Sequence, residues 1–342
     1  MNGLGGAAAD RARGVLVGMA AGDALGAGYE FGPPLAKHVK IAMIGGGPFN
    51  WAPGQWTDDT SMAIAIAEVA ASGQELRSQA AQDAIVARWI RWSREAPDVG
   101  VQTRNVLDAI QPATLTAGTG GYAAAASRAA RALHHQTGRT AGNGSLMRTA
   151  PVALAYLNDP AALAKAAREL SALTHYDRAA GEACVLWSLA IQHAVLTGEL
   201  DARVGLDGLG ADSRDRWEAR LAEAERARPE DFPKNGWVVH ALQGAWSAIA
   251  TTRNPVGDSE DESGHLRRTL EAAVRGGRDT DTVAAIAGGL VGAAYGASAV
   301  PAQWKRDIHG WPDMRADGLI ALADAIVRRD TRTAGFGTTL SD

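Results

Sequence analysis

The chain has 342 residues, 46% hydrophobic and 21% charged, enough apolar material for a sizeable core and too much for global disorder. Its formal net charge is −4 and its pI is near 6.1, so it has no basic field to hold a nucleic-acid backbone, and that partner class is not expected. A single cysteine, Cys184, rules out an internal disulfide and fits a reducing cytoplasm, where it reads as inert core.

Residues 1–10 are Gly/Ala-rich, lack the basic and apolar regions of a signal peptide, and are expected to form a flexible tail ahead of one domain over 11–329. No run approaches about 20 uninterrupted apolar residues, so no membrane span is expected and a cytoplasmic location is. The first helix is predicted over 11–25. Gly14, Gly18, Gly22 and Gly26 recur at spacing four along it, an edge suited to close helix packing. Asp23 carries the one charge of its stretch and needs a partner; it either caps something locally or supports a polar site from behind. Residues 29–34 and 45–48 read as a long irregular loop of the lid or binding kind. Within it Glu30, between two aromatics, is a candidate acid or gate, although exposed loop glutamates are commoner.

Next comes Trp56-Thr57-Asp58-Asp59-Thr60-Ser61-Met62, where two adjacent carboxylates flanked by hydroxyls run straight into an apolar helix predicted over 60–72. The same grammar returns at Gly276-Gly277-Arg278-Asp279-Thr280-Asp281-Thr282, before a small-residue helix over 283–298. Either run alone reads as a helix cap. Asp279 and Asp281, at i and i+2, point the same way only in an extended segment, so a loop aiming both at one point is expected. If the two runs meet, four carboxylates and several threonine oxygens share one small volume, tolerable only when cations fill it. Oxygen-only donors select magnesium, manganese or calcium, and without adjacent Cys or His zinc is disfavoured. An EF-hand is excluded by register, since Ala284 and Leu290 fall where its Gly and Glu belong.

Helices follow over 77–93 and 102–110, with Asp98 at the break between them as a cap or a functional carboxylate. Residues 118–121 are loop and 122–135 a helix with a solvated face. The turn Ala141-Gly142-Asn143-Gly144-Ser145-Leu146-Met147-Arg148 offers free backbone N–H groups before a helix over 151–156, a natural but unspecific phosphate seat. It lacks the G-x-S-x-G frame of a nucleophile elbow. Helices over 161–173 and 180–196 flank Thr174-His175-Tyr176-Asp177, where His175 is either a structural hydrogen-bonder or a ligand contact. An exposed helix over 213–228 carries a thin stripe of Trp217 and Leu221, and 236–250 is helical with Trp237 and Trp246. Residues 254–264 read as an acidic solvated loop, 266–274 and 315–328 as helices, and 330–342 as a flexible tail. No alternating β-branched run appears, so the fold class is all-α, a single compact multi-helix domain with its motifs at one mouth.

In this order the segments Gly22-Asp23-Ala24-Leu25-Gly26, Thr57-Asp58-Asp59-Thr60, Gly142 to Arg148, Leu173-Thr174-His175 and Gly277 to Thr282 resemble the ADP-ribosylglycohydrolase family, typified by the dinitrogenase reductase-activating glycohydrolase. The resemblance spans about residue 11 to about residue 300. It implies a binuclear Mg²⁺ or Mn²⁺ site, one ion held at Thr57, Asp58, Asp59 and Asp281 and the other at Asp279, Asp281 and Thr282. It further implies Asp58, Asp59, Asp98 and Glu30 in catalysis, Glu30 as a gate, and substrate contacts from Gln102, Thr103, Asn143, Gly144, Ser145, His175, Trp237, Gly277 and Arg278. Val101 stands where some relatives have Asn, a departure at that contact. The implied reaction is removal of ADP-ribose from a mono-ADP-ribosylated protein, arginine- or serine-linked, by a monomeric enzyme cutting the C1″ bond. The alternatives are a sensor that binds ADP-ribose without cleaving it, and a hydrolase of a modified small molecule or nucleic acid.

Overall fold

The computed structural model describes residues 4–110, 121–253 and 262–336, with side chains to residue 329, and the chain there is almost wholly helical. The helices are α1 (Gly6–Gly26), α2 (Asp58–Ala71), α3 (Gln79–Ser93), α4 (Val101–Asp108), α5 (Tyr122–Thr137), α6 (Ala150–Leu154) and α7 (Pro160–Ala172). They continue as α8 (Arg178–Thr197), α9 (Ala211–Ala224), α10 (Val238–Thr251), α11 (Glu262–Arg275), α12 (Thr280–Tyr295), α13 (Ala302–Asp307) and α14 (Ala316–Phe336). A two-residue hairpin, β1 (His309–Gly310) with β2 (Met314–Arg315), is the one sheet among the described residues. The expected loop at 118–120 and most of the acidic stretch, 254–261, lie outside the described residues, as does 337–342.

Several boundaries differ from expectation: α11 starts at Glu262, inside the expected acidic loop, α12 runs Thr280–Tyr295 and not 283–298, and three further differences stand out. Helix α1 starts at Gly6, inside the expected tail, because Ala7-Ala8-Ala9 are strong helix formers and Asp10 is tied down by the Ser298 hydroxyl at 2.6 Å. At the other end the backbone of α14 runs past Arg328 to Phe336. Asp279 and Asp281 do not lie in an extended loop: Asp279 is the N-cap of α12 (φ −87°, ψ 74°) and Asp281 sits in its first turn.

The glycine edge sets the centre of the fold. A Cβ on Gly18 would stand 3.1 Å from the Gly292 Cα, one on Gly22 2.5 Å from the Ala284 carbonyl carbon, and one on Gly26 2.6 Å from the Thr280 carbonyl carbon. Helices α1 and α12 therefore touch backbone to backbone along their length, α1 ending where α12 begins. The Thr280 hydroxyl donates to the Gly26 carbonyl at 2.9 Å and pins that junction. Against this pair packs α8. It is 20 residues long with mean hydropathy 1.3, but 83% of that window is buried inside the fold, as befits a core helix. Its N-cap Asp177 and left-handed C-cap Gly198 give it defined ends. Cys184 is buried on it, as expected.

Candidate metal centre and its cleft

The α1–α12 seam delivers Asp23 and Asp281 to one place, and α2 brings the other acidic run there. Asp23 Oδ1 accepts from the Thr57 N–H (2.9 Å) and hydroxyl (2.8 Å), while Oδ2 accepts from the Thr60 N–H (2.9 Å) and hydroxyl (2.6 Å). Both readings of Asp23 hold together: from α1 it caps the start of α2, and in doing so it fixes the acidic run. Asp59 lies on the buried side of that turn. Its Oδ2 lies 3.2 Å from the Thr57 hydroxyl, whose one proton goes to the nearer Asp23, and accepts from the Thr282 hydroxyl of α12 at 3.4 Å, so the two distant runs do meet.

Two groups of carboxylate oxygens lie within 4.8 Å of one another, Asp23 with Asp59 and Asp281, and Glu30 with Asp279 and Asp281; Asp281 is common to both. No Lys or Arg among the described residues forms an ion pair with any of them. Asp59 Oδ1 is buried with no hydrogen-bond partner, a costly state for a carboxylate oxygen. Burial, and then neighbouring carboxylates, push the Asp58, Asp59 and Asp281 carboxyls well above the usual range. An unsatisfied buried oxygen, crowded acids and hard donors alone are the features of a divalent-cation site, and the residues fit one. Asp23, with each oxygen already accepting two hydrogen bonds, serves better as the brace behind the site than as a ligand.

Of these acidic residues Glu30, Asp58 and Asp279 line a cleft of about 480 Å³, while Asp23, Asp59 and Asp281 are buried and do not reach its lining. Glu30, Asp58, Asp98, Gln102, Thr103, Asn143, Gly144, His175, Asp279 and Thr282 all line it, so most residues singled out from the sequence are brought together. Asp98 accepts the Asp58 N–H at 2.8 Å through Oδ2, and burial pushes its carboxyl up to about 6. Burial, then Asp279 and Asp98, push Glu30 up to about 8. Asn143 donates to Asp279 Oδ2 and to the Asn235 carbonyl, both at 2.8 Å, so it orients a carboxylate of the cluster as well as lining the cleft.

His175 is held in one state. Arg148, buried with its guanidinium 3.9 Å from the centre of the Trp89 ring, donates to the Thr174 hydroxyl at 2.7 Å. Arginine has no acceptor, so the Thr174 proton goes to His175 Nδ1, 2.7 Å away, and the imidazole carries its proton on Nε2. Burial, and then Arg148, lower the His175 pKa well below the usual value, so it is a neutral, fixed N–H donor. Its ring packs against the glycine turn: a Cβ on Gly144 would meet it at 3.0 Å.

Other expected contacts lie elsewhere. Ser145 is turned into the core, where it accepts from Ser171 at 2.8 Å. Gly277 and Arg278 are not in the cleft lining. Both have positive φ, and through the Arg278 backbone, paired with Phe31 and Gly32, they hold the Glu30 loop. Trp237 is 38% exposed and rests against His240, 5.2 Å between ring centres, while its neighbour Gly236 lines the cleft. Sequence reasoning missed Asn235, whose amide donates to the Gly277 carbonyl at 3.0 Å and steadies the second acidic run, and Phe31 and Phe49 on the cleft wall. A lone Asn before a Gly carries no signal beyond a turn.

Comparison with known proteins agrees with this geometry. Residues 5–335 match the family model described as ADP-ribosylglycohydrolase. The chain is 32% identical over 307 residues to the ADP-ribosylarginine hydrolase Tri1 of Pseudomonas putida, covering 88% of this chain and 75% of that one. It is 29% identical over 329 residues to the ADP-ribosyl-(dinitrogen reductase) glycohydrolase of Rhodospirillum rubrum, covering 92% and 97%. A solved structure described as an ADP-ribosylglycohydrolase-related protein complex superposes with a TM-score of 0.68 at 29% identity, over 95% of this chain and 99% of that one. With two acidic helix starts meeting under one cleft and a match along nearly the whole chain, the protein belongs to the ADP-ribosylglycohydrolase family.

Proposed function

We propose that the chain is a divalent-metal-dependent hydrolase that releases ADP-ribose from a modified arginine of a protein by cutting the C1″–N bond. The observation that carries the proposal is the meeting of the two acidic runs around an unsatisfied, buried Asp59 oxygen, with Asp58 and Asp279 of the same runs lining the cleft. The choice of arginine is supported by the Tri1 relatives, described as ADP-ribosylarginine hydrolases, at 32% and 28% identity.

Thr57, Asp58, Asp59 and Asp281 would hold one ion and Asp279, Asp281 and Thr282 the other, with Mg²⁺ or Mn²⁺ the hard ions such donors favour. The chemistry such a pair supplies when bound is positive charge beside the ribose hydroxyls and the attacking water. Asn143 keeps the Asp279 carboxylate in register, and Asp23 keeps the start of α2 in place. The neutral His175 N–H and the Gly142–Gly144 turn offer donors to the diphosphate or ribose oxygens. In the reaction the water oxygen bonds to C1″ while the C1″–N bond breaks, its electron pair leaving on the guanidine nitrogen, which takes up the water's proton. Asp98 suits that proton transfer better than Glu30. It lines the cleft, is anchored by a backbone N–H, and is pushed by burial up to about 6.

The test is release of free ADP-ribose from an ADP-ribosylarginine peptide with Mg²⁺ or Mn²⁺, beside a serine-linked one. Turnover of the arginine peptide, abolished by chelation and lowered roughly 100–1,000-fold by Asp281→Asn, is expected. Binding of ADP-ribose without any turnover would establish the sensor instead, and turnover of the serine peptide alone would move the linkage.

A further inference from the structure

Behind the cleft lies a second cavity, of about 420 Å³, within the roughly 300–1,000 Å³ range of sites that take small groups. The two share a wall, Pro97 and Asp98, which line both. Four indoles line the second cavity: Trp51, Trp56, Trp92 and Trp311. That is four of the ten tryptophans in the chain, gathered from three segments (the loop before α2, α3 and the hairpin), so the pocket is a product of the fold and not of composition. The hairpin forms its far side, where the Trp56 Nε1–H donates to the Trp311 carbonyl at 3.2 Å.

Apart from His309, the ionisable groups of the lining are of one sign. Glu95, Asp98 and Asp313 line it and no Lys or Arg does. Indole faces and carboxylates together are the surroundings that stabilise an organic cation. The Trp311 ring already shows that preference, with the Arg91 guanidinium 5.7 Å from its centre. An aromatic ridge joins the cavities: Phe31 stands 6.5 Å from Phe49 and Phe49 5.9 Å from Trp51, the phenylalanines on the cleft side and the indole in the second cavity.

We infer that this second cavity takes an unmodified arginine or lysine of the acceptor protein, close in sequence to the modified residue, so that the enzyme selects basic segments. The inference rests on the proposed hydrolase reading for its occupant. A free cation would need only the pocket. The shared Asp98 wall and the continuous ridge are what a chain anchored in the cleft would cross to reach the indoles.

The probes are two ADP-ribosylarginine peptides, identical except that a flanking lysine is replaced by norleucine. For the wild-type protein KM should be about ten-fold lower for the lysine peptide. In the double variant Glu95→Gln/Asp313→Asn, both at exposed positions, that ratio should fall to about one, with kcat on the lysine peptide within two-fold of wild type. Equal KM values for the wild type, or a preference that survives in the variant, would overturn the inference. A second measurement does not need turnover. Titration with the unmodified peptides should quench tryptophan fluorescence saturably for lysine only, less so in the double variant, and no difference between the peptides counts against it. If neither modified peptide is hydrolysed, the hydrolase reading fails, and the quenching alone decides whether the cavity binds a cationic side chain.

Discussion

Gly22→Ala tests the idea that backbone contact between α1 and α12 creates the metal centre. The added Cβ would stand 2.5 Å from the Ala284 carbonyl carbon and closer still to its oxygen, about 1 Å short of the roughly 3.5–4.0 Å at which carbon atoms pack. Neither partner is a side chain that can swing away, so the helices must part. Replacing a mid-helix glycine by alanine gains about 1 kcal/mol of helix propensity. Overpacking of this kind costs about 1–3 kcal/mol, and opening the seam also forfeits part of its dispersion energy. A net loss of about 2 kcal/mol is expected, or a Tm lower by roughly 3 °C in a chain of this size. The same separation moves Asp23 and Asp281 apart, so the rise in Tm on adding Mg²⁺ should shrink with it. Gly181→Ala is the control, since its nearest new neighbour is the flexible Arg168 side chain at 3.3 Å; it should leave Tm unchanged or raise it. The assay is differential scanning calorimetry with and without Mg²⁺. A Gly22→Ala protein as stable and as responsive to Mg²⁺ as wild type would show that the seam does not build the site.

With EDTA present, stability should fall as pH rises from about 5 to 8. The Asp58, Asp59 and Asp281 carboxyls titrate above their ordinary value of 3.8 in the folded chain, so it binds more protons than the unfolded one. That stability is fully present below about pH 4 and is lost as pH passes through the folded values, whereas Mg²⁺ should raise Tm more at pH 8 than at pH 5.5; a Tm in EDTA that rises over this range refutes the assignment. His175 should stay neutral with its proton on Nε2 from about pH 5.5 to 8.5 by ¹⁵N NMR. Thr174→Val should release that tautomer and cost about 1–3 kcal/mol by leaving Arg148 short of an acceptor; an unchanged ring spectrum would break the Arg148–Thr174–His175 relay.

The helices were legible because their signals are local: apolar spacing, Asp caps and terminal glycines act within one or two turns. Convergence of the acidic runs was legible for a different reason. So many carboxylates before apolar helices are hard to justify unless they share a cation. Local detail failed where a residue changes conformation between neighbours, as at Asp279, whose non-helical N-cap geometry lets a side chain at i aim with one at i+2 without an extended loop. The hairpin at 309–315 has two-residue strands, too short for any periodicity to register. Arg148, Thr174, Asn235 and the four indoles depend on partners far along the chain. Trp56 reaches Trp311 across 255 positions and Asn143 reaches Asp279 across 136, and no window reads that.

The metal centre is a place where folding works against itself, and the fold shows where the opposing force comes from. Crowded, desolvated carboxylates repel, and Asp59 Oδ1 lacks even one donor. Left to side-chain electrostatics alone, α2 and α12 would separate at their acidic ends. They cannot, because each is clamped to α1 by contacts made through groups other than the Asp58, Asp59, Asp279 and Asp281 carboxylates. On α12 the clamp is the glycine seam with the Thr280–Gly26 bond, and on α2 it is the fourfold grip of Asp23 on Thr57 and Thr60. Strain that is imposed from outside the cluster cannot relax by a rotamer change within it. The low-energy way left to discharge it is to bind positive charge, and a site held in that condition before the ion arrives gains affinity from its preorganisation. The same clamp makes the seam the support of the site, so loosening α1 against α12 should release the metal, whereas removing the metal should leave the seam closed.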